Sequence, residues 1–72
     1  MKGVISMYAE TLRRSRETAE LSQKDVANAL GISQFAVSKW ERGEMTPTIE
    51  RLKQLADLYN TSIDALVGHE RA

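Results

Sequence analysis

The sequence predicts an all-α fold, a compact bundle of five short helices, and three observations carry that reading. Apolar residues recur at three- and four-residue spacing along most of the chain, the period of a helix with one buried face. Each such run opens on a Ser or Thr suited to capping a helix, namely Ser6, Ser22, Ser33, Thr48 and Ser62. Between the runs stand Gly31, Gly43, Pro47 and Asn60, residues that end helices or forbid their continuation. No stretch alternates as a strand would, and no internal repeat is visible.

The first helix is expected to run from a cap at Ser6 to about Ala19. Tyr8, Leu12 and Ala19 lie near one face with Arg16 beside them, while Arg13, Arg14 and Glu17 point outward. A joint at Glu20 and Leu21 follows, with Leu21 buried. Ser22 and Asp25 then form the Ser-x-x-acid pattern of a capping box. Val26, Ala27 and Leu30 line the inner face of the second helix, and Gly31 supplies the left-handed residue that ends it. Ser33 caps the third helix, whose inner face carries Val37 and Trp40, and Gly43 closes it. Ala27 is small where two helices must cross, Gly31 follows four later, and Val37 locks the crossing. That spacing is the helix-turn-helix used to bind DNA.

Residues 43–47 form a loop, because Pro47 drives its predecessor out of helical geometry. Thr48 caps a fourth helix, with Glu50 near its positive end and a stripe of Ile49, Leu52, Leu55, Ala56 and Tyr59. Asn60 takes the left-handed position after it. Ser62 caps a short fifth helix bearing Ile63, Leu66 and Val67. The tail from Gly68 to Ala72 reads as frayed. One domain thus fills residues 1–72, with its core over about 6–67.

The outer face of the third helix points to a function. At about 100° per residue, Val37, Trp40 and Glu41 fall on one side. Phe35, Ser38, Lys39 and Arg42 fall opposite, with Gln34 on the flank. An exposed Phe gains nothing from water but can meet a thymine methyl, while Gln and Lys suit adenine and guanine edges. Glu41 sits on the inner half of its helix, where an unpaired carboxylate is costly. Arg16, the basic residue nearest the apolar face of the first helix, is expected to grip it with two hydrogen bonds in a largely buried pair.

Ten Lys and Arg balance ten Asp and Glu, so attraction to phosphate must come from local arrangement. Lys24, Lys39 and Arg42 lie on the motif with Arg13 and Arg14 upstream. Asp57, Asp64 and Glu70 gather towards the C-terminus. Modest nonspecific affinity that falls steeply with salt is the expectation. The chain has no Cys and one His, in the tail, which leaves no thiolate metal site and no base–nucleophile pair. No enzyme activity, metal, cofactor or small-molecule ligand is therefore expected. With no signal peptide and no apolar run long enough for a membrane span, a cytoplasmic protein is expected.

Residues from about Tyr8 to Val67 resemble the XRE/Cro-repressor family, the lambda-repressor-like helix-turn-helix domains. The marks are Arg16, Leu21-Ser-Gln23, Val26-Ala27, Leu30-Gly31-Ile-Ser33, Val37-Ser-Lys-Trp-Glu-Arg-Gly43, Pro47, Leu55-Ala56 and Ser62-Ile-Asp-Ala-Leu66. The resemblance implies a five-helix bundle in which Gln23 touches a DNA phosphate from the start of its helix. It implies that Gln34, Phe35, Ser38 and Lys39 face bases, and that Ser33, Arg42 and Thr46 approach the backbone. Phe35 departs from the small or polar residue common at its position. The resemblance also pairs the positions of Arg16 and Glu41.

A single helix of this kind reads too few base pairs to find one site, so a homodimer on a palindromic operator is expected. With no second domain to join the copies, Tyr59, Ile63, Leu66 and Val67 are the expected dimer contact, with Met45 able to join them. The reading is a sequence-specific transcriptional regulator acting as a repressor on double-stranded DNA. Its context is open among a phage switch, a restriction system and a toxin–antitoxin pair. The alternative, drawn from the outward Phe35 and zero net charge, is a protein-interaction module, antitoxin-like or partner-binding, on the same bundle.

Overall fold

The computed structural model describes residues 4–67, with side chains from Ala9 onward. Five helices follow one another: α1 (Val4–Thr18), α2 (Gln23–Leu30), α3 (Gln34–Glu41), α4 (Ile49–Leu58) and α5 (Ile63–Leu66). α3 packs against both α2 and α1, and α5 closes the bundle against α1 and α4. One core joins Leu12, Val26, Ala27, Val37, Trp40, Leu52, Leu55, Ala56, Tyr59 and Leu66. None of the described helices is long and apolar enough to cross a membrane.

Local chemistry sets the helix starts. The Ser22 hydroxyl accepts from the Asp25 N–H at 3.0 Å, and the Asp25 carboxylate accepts from the Ser22 N–H at 2.9 Å. That reciprocal closure holds the Asp25 carboxyl below its ordinary range, the Ser22 N–H being the largest cause. Ser33, Thr48 and Ser62 cap α3, α4 and α5 in the same one-sided way, each hydroxyl accepting from the N–H three residues on. Ser6 is not a cap: α1 already begins at Val4, so Ser6 lies inside it. A Ser within a helix satisfies the same local pattern as one before it.

The ends of α1 to α4 share one device. Glu20, Gly31, Gly43 and Asn60 all have positive φ, from 57° to 77°. The N–H of the following residue reaches back five positions in each case: Leu21 to Arg16, Ile32 to Ala27, Glu44 to Lys39 and Thr61 to Ala56. This paired closure satisfies carbonyls that a helix end would otherwise leave bare. Glu20 is the unforeseen member, since nothing about Glu favours left-handed backbone.

Three burial expectations need adjusting. Ile49, assigned to the α4 stripe, is 65% exposed: Thr48, Ile49 and Glu50 are all left in solvent at the start of α4, while Leu52 and Leu55 turn inward. Leu21 is only half-buried at the edge of the core. Ala9 is buried although the helical pattern did not select it. The side chain of Tyr8, the tail from Gly68 to Ala72 and Glu70 lie outside the described residues.

Candidate nucleic-acid interface

The site is built on α3 and the turn that follows it. Val37 and Trp40 enter the core, which fixes the rotation of α3 and leaves its opposite side in solvent. Phe35 on that side is 62% exposed. The Lys39 Nζ stands 4.9 Å from the centre of its ring, and the Arg42 guanidinium carbon stands at 6.0 Å. Two cations thus stand near one aromatic ring, an arrangement favoured by the negative ring surface. Gln34 is exposed at the start of the helix and Ser38 is half-buried beside Arg42.

Arg42 is engaged rather than free. Its Nη1 donates to Ser38 Oγ at 2.7 Å, while Nε and Nη2 donate to the Glu44 carboxylate at 3.0 and 3.2 Å. Hydrogen bonding to Arg42 holds the Glu44 carboxyl below its ordinary range, with smaller pulls from the charges of Arg42 and Lys39. The same bond raises the Arg42 guanidinium. Glu44, absent from the residues singled out in the sequence, lies at this face because the left-handed Gly43 turns the chain back over the end of α3. A loop carboxylate two residues from an Arg carries no helical periodicity, so no sequence pattern marks it.

Behind this face lies the contact that fixes α3 to α1. Arg16 Nε and Nη2 donate to the two Glu41 oxygens at 2.7 and 3.0 Å. The side chains are 13% and 4% exposed. Arg16 Nη1 also donates to the Leu21 carbonyl at 2.8 Å, bridging the α1–α2 joint. Bonding to Glu41 raises the Arg16 guanidinium despite the opposing effect of burial. Burial also drives the Tyr59 phenol upward, with the Glu41 charge adding to it.

Gln23, at the first position of α2, turns inward. Its Nε2 donates to Glu41 Oε1 at 3.0 Å, and since a carboxylate only accepts, the amide nitrogen must face it. One N–H of that amide is thereby committed to the protein. The Ser33 hydroxyl is occupied by the Ala36 N–H at 3.2 Å, and Thr46 is exposed in the loop. α3 therefore collects Gln34, Phe35, Ser38 and Lys39 on one side with Arg42 at its end.

The suggested dimer residues divide. Leu66 is fully buried and Tyr59 is 8% exposed; both belong to the monomer's own core and have no surface to offer a second chain. Ile63 and Val67 are half-buried, and Met45 is 49% exposed. Among the described residues, no group of three or more His, Cys, Asp or Glu could hold a metal ion.

Residues 12–66 match a sequence model of the helix-turn-helix family HTH_3. The chain is 35% identical over 63 residues to the HTH-type transcriptional activator BcrR of Enterococcus faecalis, covering 88% of this chain and 31% of that protein. It is 39% identical over 59 residues to the CTXphi transcriptional repressor RstR of Vibrio cholerae, covering 82% and 53%. Among solved structures, it superposes on hydroxypropylphosphonic acid epoxidase from S. wedmorenis with a TM-score of 0.82 at 33% identity, covering 92% of this chain and 35% of that one. The chain thus spans from 31% to 53% of the length of these proteins.

Proposed function

The chain belongs to the XRE/Cro-type helix-turn-helix family, which includes transcriptional regulators, and on that premise we propose that it reads a palindromic operator as a homodimer and acts as a repressor. One observation carries the reading: α3 is locked inward by Val37, Trp40 and the Arg16–Glu41 pair, yet presents an exposed Phe35 flanked by Lys39 and Arg42. A rigid helix with an aromatic and two cations facing outward suits the major groove. There, Phe35 meets a thymine methyl while Gln34, Ser38 and Lys39 meet base edges. Gln23, Ser33, Arg42 and Thr46 surround that helix and approach phosphates.

Pairing two copies doubles the base pairs read, with recognition helices about 34 Å apart. The half-buried Ile63 and Val67, with Met45, supply surface for that contact; Tyr59 and Leu66 support it from beneath. Resemblance to a phage repressor at 39% identity supports repression, and the bacterial relatives support a cytoplasmic location.

The test is binding to a selected operator by fluorescence anisotropy. Lys39→Ala should lose preference at one guanine and Gln34→Ala at one adenine, each by about 1–3 kcal/mol. Uniform weakening across a base-substituted panel would deny them that role. Affinity insensitive to salt would favour a protein-interaction module, for which the exposed Phe35 would then be the anchor.

A further inference from the structure

We propose that Glu44 is an electrostatic gate on the DNA-facing surface: it holds Arg42 in the free protein and must release it to phosphate on binding, which keeps affinity for nonspecific DNA low. The inference rests on the DNA-binding reading above and assigns to this surface a residue that opposes binding.

The geometry is built rather than incidental. Gly43, at φ 77°, reverses the chain, and the Glu44 N–H donates to the Lys39 carbonyl at 3.0 Å, so the end of α3 fixes where Glu44 begins. From there its carboxylate meets Arg42 with two bonds at 3.0 and 3.2 Å. Arg42 spends a third N–H on Ser38 Oγ at 2.7 Å and lies beside the Phe35 ring. The guanidinium is thus laid along the outer face of α3, joined to the residues proposed to meet bases. Both partners are about half exposed, at 48% and 52% for their side chains, so the pair can open without disturbing the core.

Opening has a defined charge balance. When Arg42 moves to a phosphate, one condensed cation leaves the DNA, as for any Lys or Arg contact. On nonspecific DNA the pair stays closed, so Arg42 makes no phosphate contact and no cation is released on its account. Arg42 therefore adds little to the salt dependence of binding while Glu44 is present, and it contributes only where the fit to DNA is good enough to open the pair. Nonspecific DNA, which offers phosphates without matching base edges, gains least from the contact.

The experiment is a titration of a random-sequence duplex with wild type, Glu44→Gln, Arg42→Ala and the double variant, by anisotropy from about 50 to 200 mM salt. Both residues are exposed, and circular dichroism verifies that each variant is folded. Glu44→Gln should bind the random duplex about two- to five-fold more tightly, with a slope of log K against log salt steeper by about 0.9. In the Arg42→Ala background the same substitution should leave the slope unchanged. Equal slopes for wild type and Glu44→Gln would overturn the gate. Equal steepening in both backgrounds would overturn it too, since the effect would then be bulk charge. If wild type binds neither the random duplex nor a selected operator even at the lowest salt, the DNA-binding reading itself fails, a result distinct from either.

Discussion

The Arg16–Glu41 pair allows the strength of a buried contact to be worked out before it is measured. Arg16→Met leaves the Glu41 carboxylate 4% exposed, with the Gln23 amide at 3.0 Å as its remaining donor. Stranding a charge in this way costs about 3–5 kcal/mol. A 72-residue domain has a total stability of about 4–11 kcal/mol, so this variant should sit near the edge of folding. Glu41→Leu is milder. Its guanidinium keeps the Leu21 carbonyl at 2.8 Å and retains 13% exposure to water, so about 2–3 kcal/mol is expected. The double variant removes both charges and should recover much of the loss, giving a coupling of about 2–4 kcal/mol. Urea unfolding followed by the fluorescence of Trp40, the single Trp in the chain, measures all three. A coupling below about 0.5 kcal/mol would refute the argument, because it would show that water screens the pair as it does a surface ion pair.

Two further outcomes test the helix ends. Glu20→Gly should raise stability by about 0.5–1 kcal/mol, since relief of left-handed strain exceeds the added freedom of Gly in the unfolded chain; an unchanged or lower thermal midpoint would mean that the Glu20 side chain earns its place by other contacts. For Asp25, the folded carboxyl titrates below the unfolded one, so its contribution is present above the unfolded value of about 3.9 and is lost as pH falls through the folded value. The midpoint advantage of wild type over Asp25→Ala should therefore shrink in acid, and a gap constant with pH would remove the charge from the account.

The helix starts were legible because capping is a local rule: a Ser or Thr, an N–H three residues later, and nothing from the rest of the fold. Ser22, Ser33, Thr48 and Ser62 each satisfy it. Ser6 shows the limit of the rule, which does not tell a residue before a helix from one inside it. Ile49 shows another. Helical spacing puts it with Leu52, but burial needs a neighbour to cover the position, and the neighbour is set by tertiary packing. Arg16 and Glu41 could be paired from sequence because both break an apolar face and each needs the other. Arg42 and Glu44 could not, since the contact depends on the turn at Gly43 and on a loop whose path no periodicity records. The dimer residues were drawn from the same apolar positions that build α4 and α5, so Leu66 and Tyr59 served two incompatible roles until their burial separated them.

The brevity of the helices has a consequence for the life of the protein in a cell. α2 and α3 have eight residues each and α5 has four, well under the dozen or so that an isolated helix needs to persist in water. None of them survives without the shared core, so loss of any part takes the DNA-facing helix with it. A bound operator acts only on the folded form and raises its stability by RT ln(1 + [L]/Kd), about 2.7 kcal/mol at one hundred times Kd. Proteases that take the unfolded chain see that same shift. On the function proposed above, occupied protein is spared and idle protein is cleared, so promoter occupancy and cellular half-life become two measures of one equilibrium.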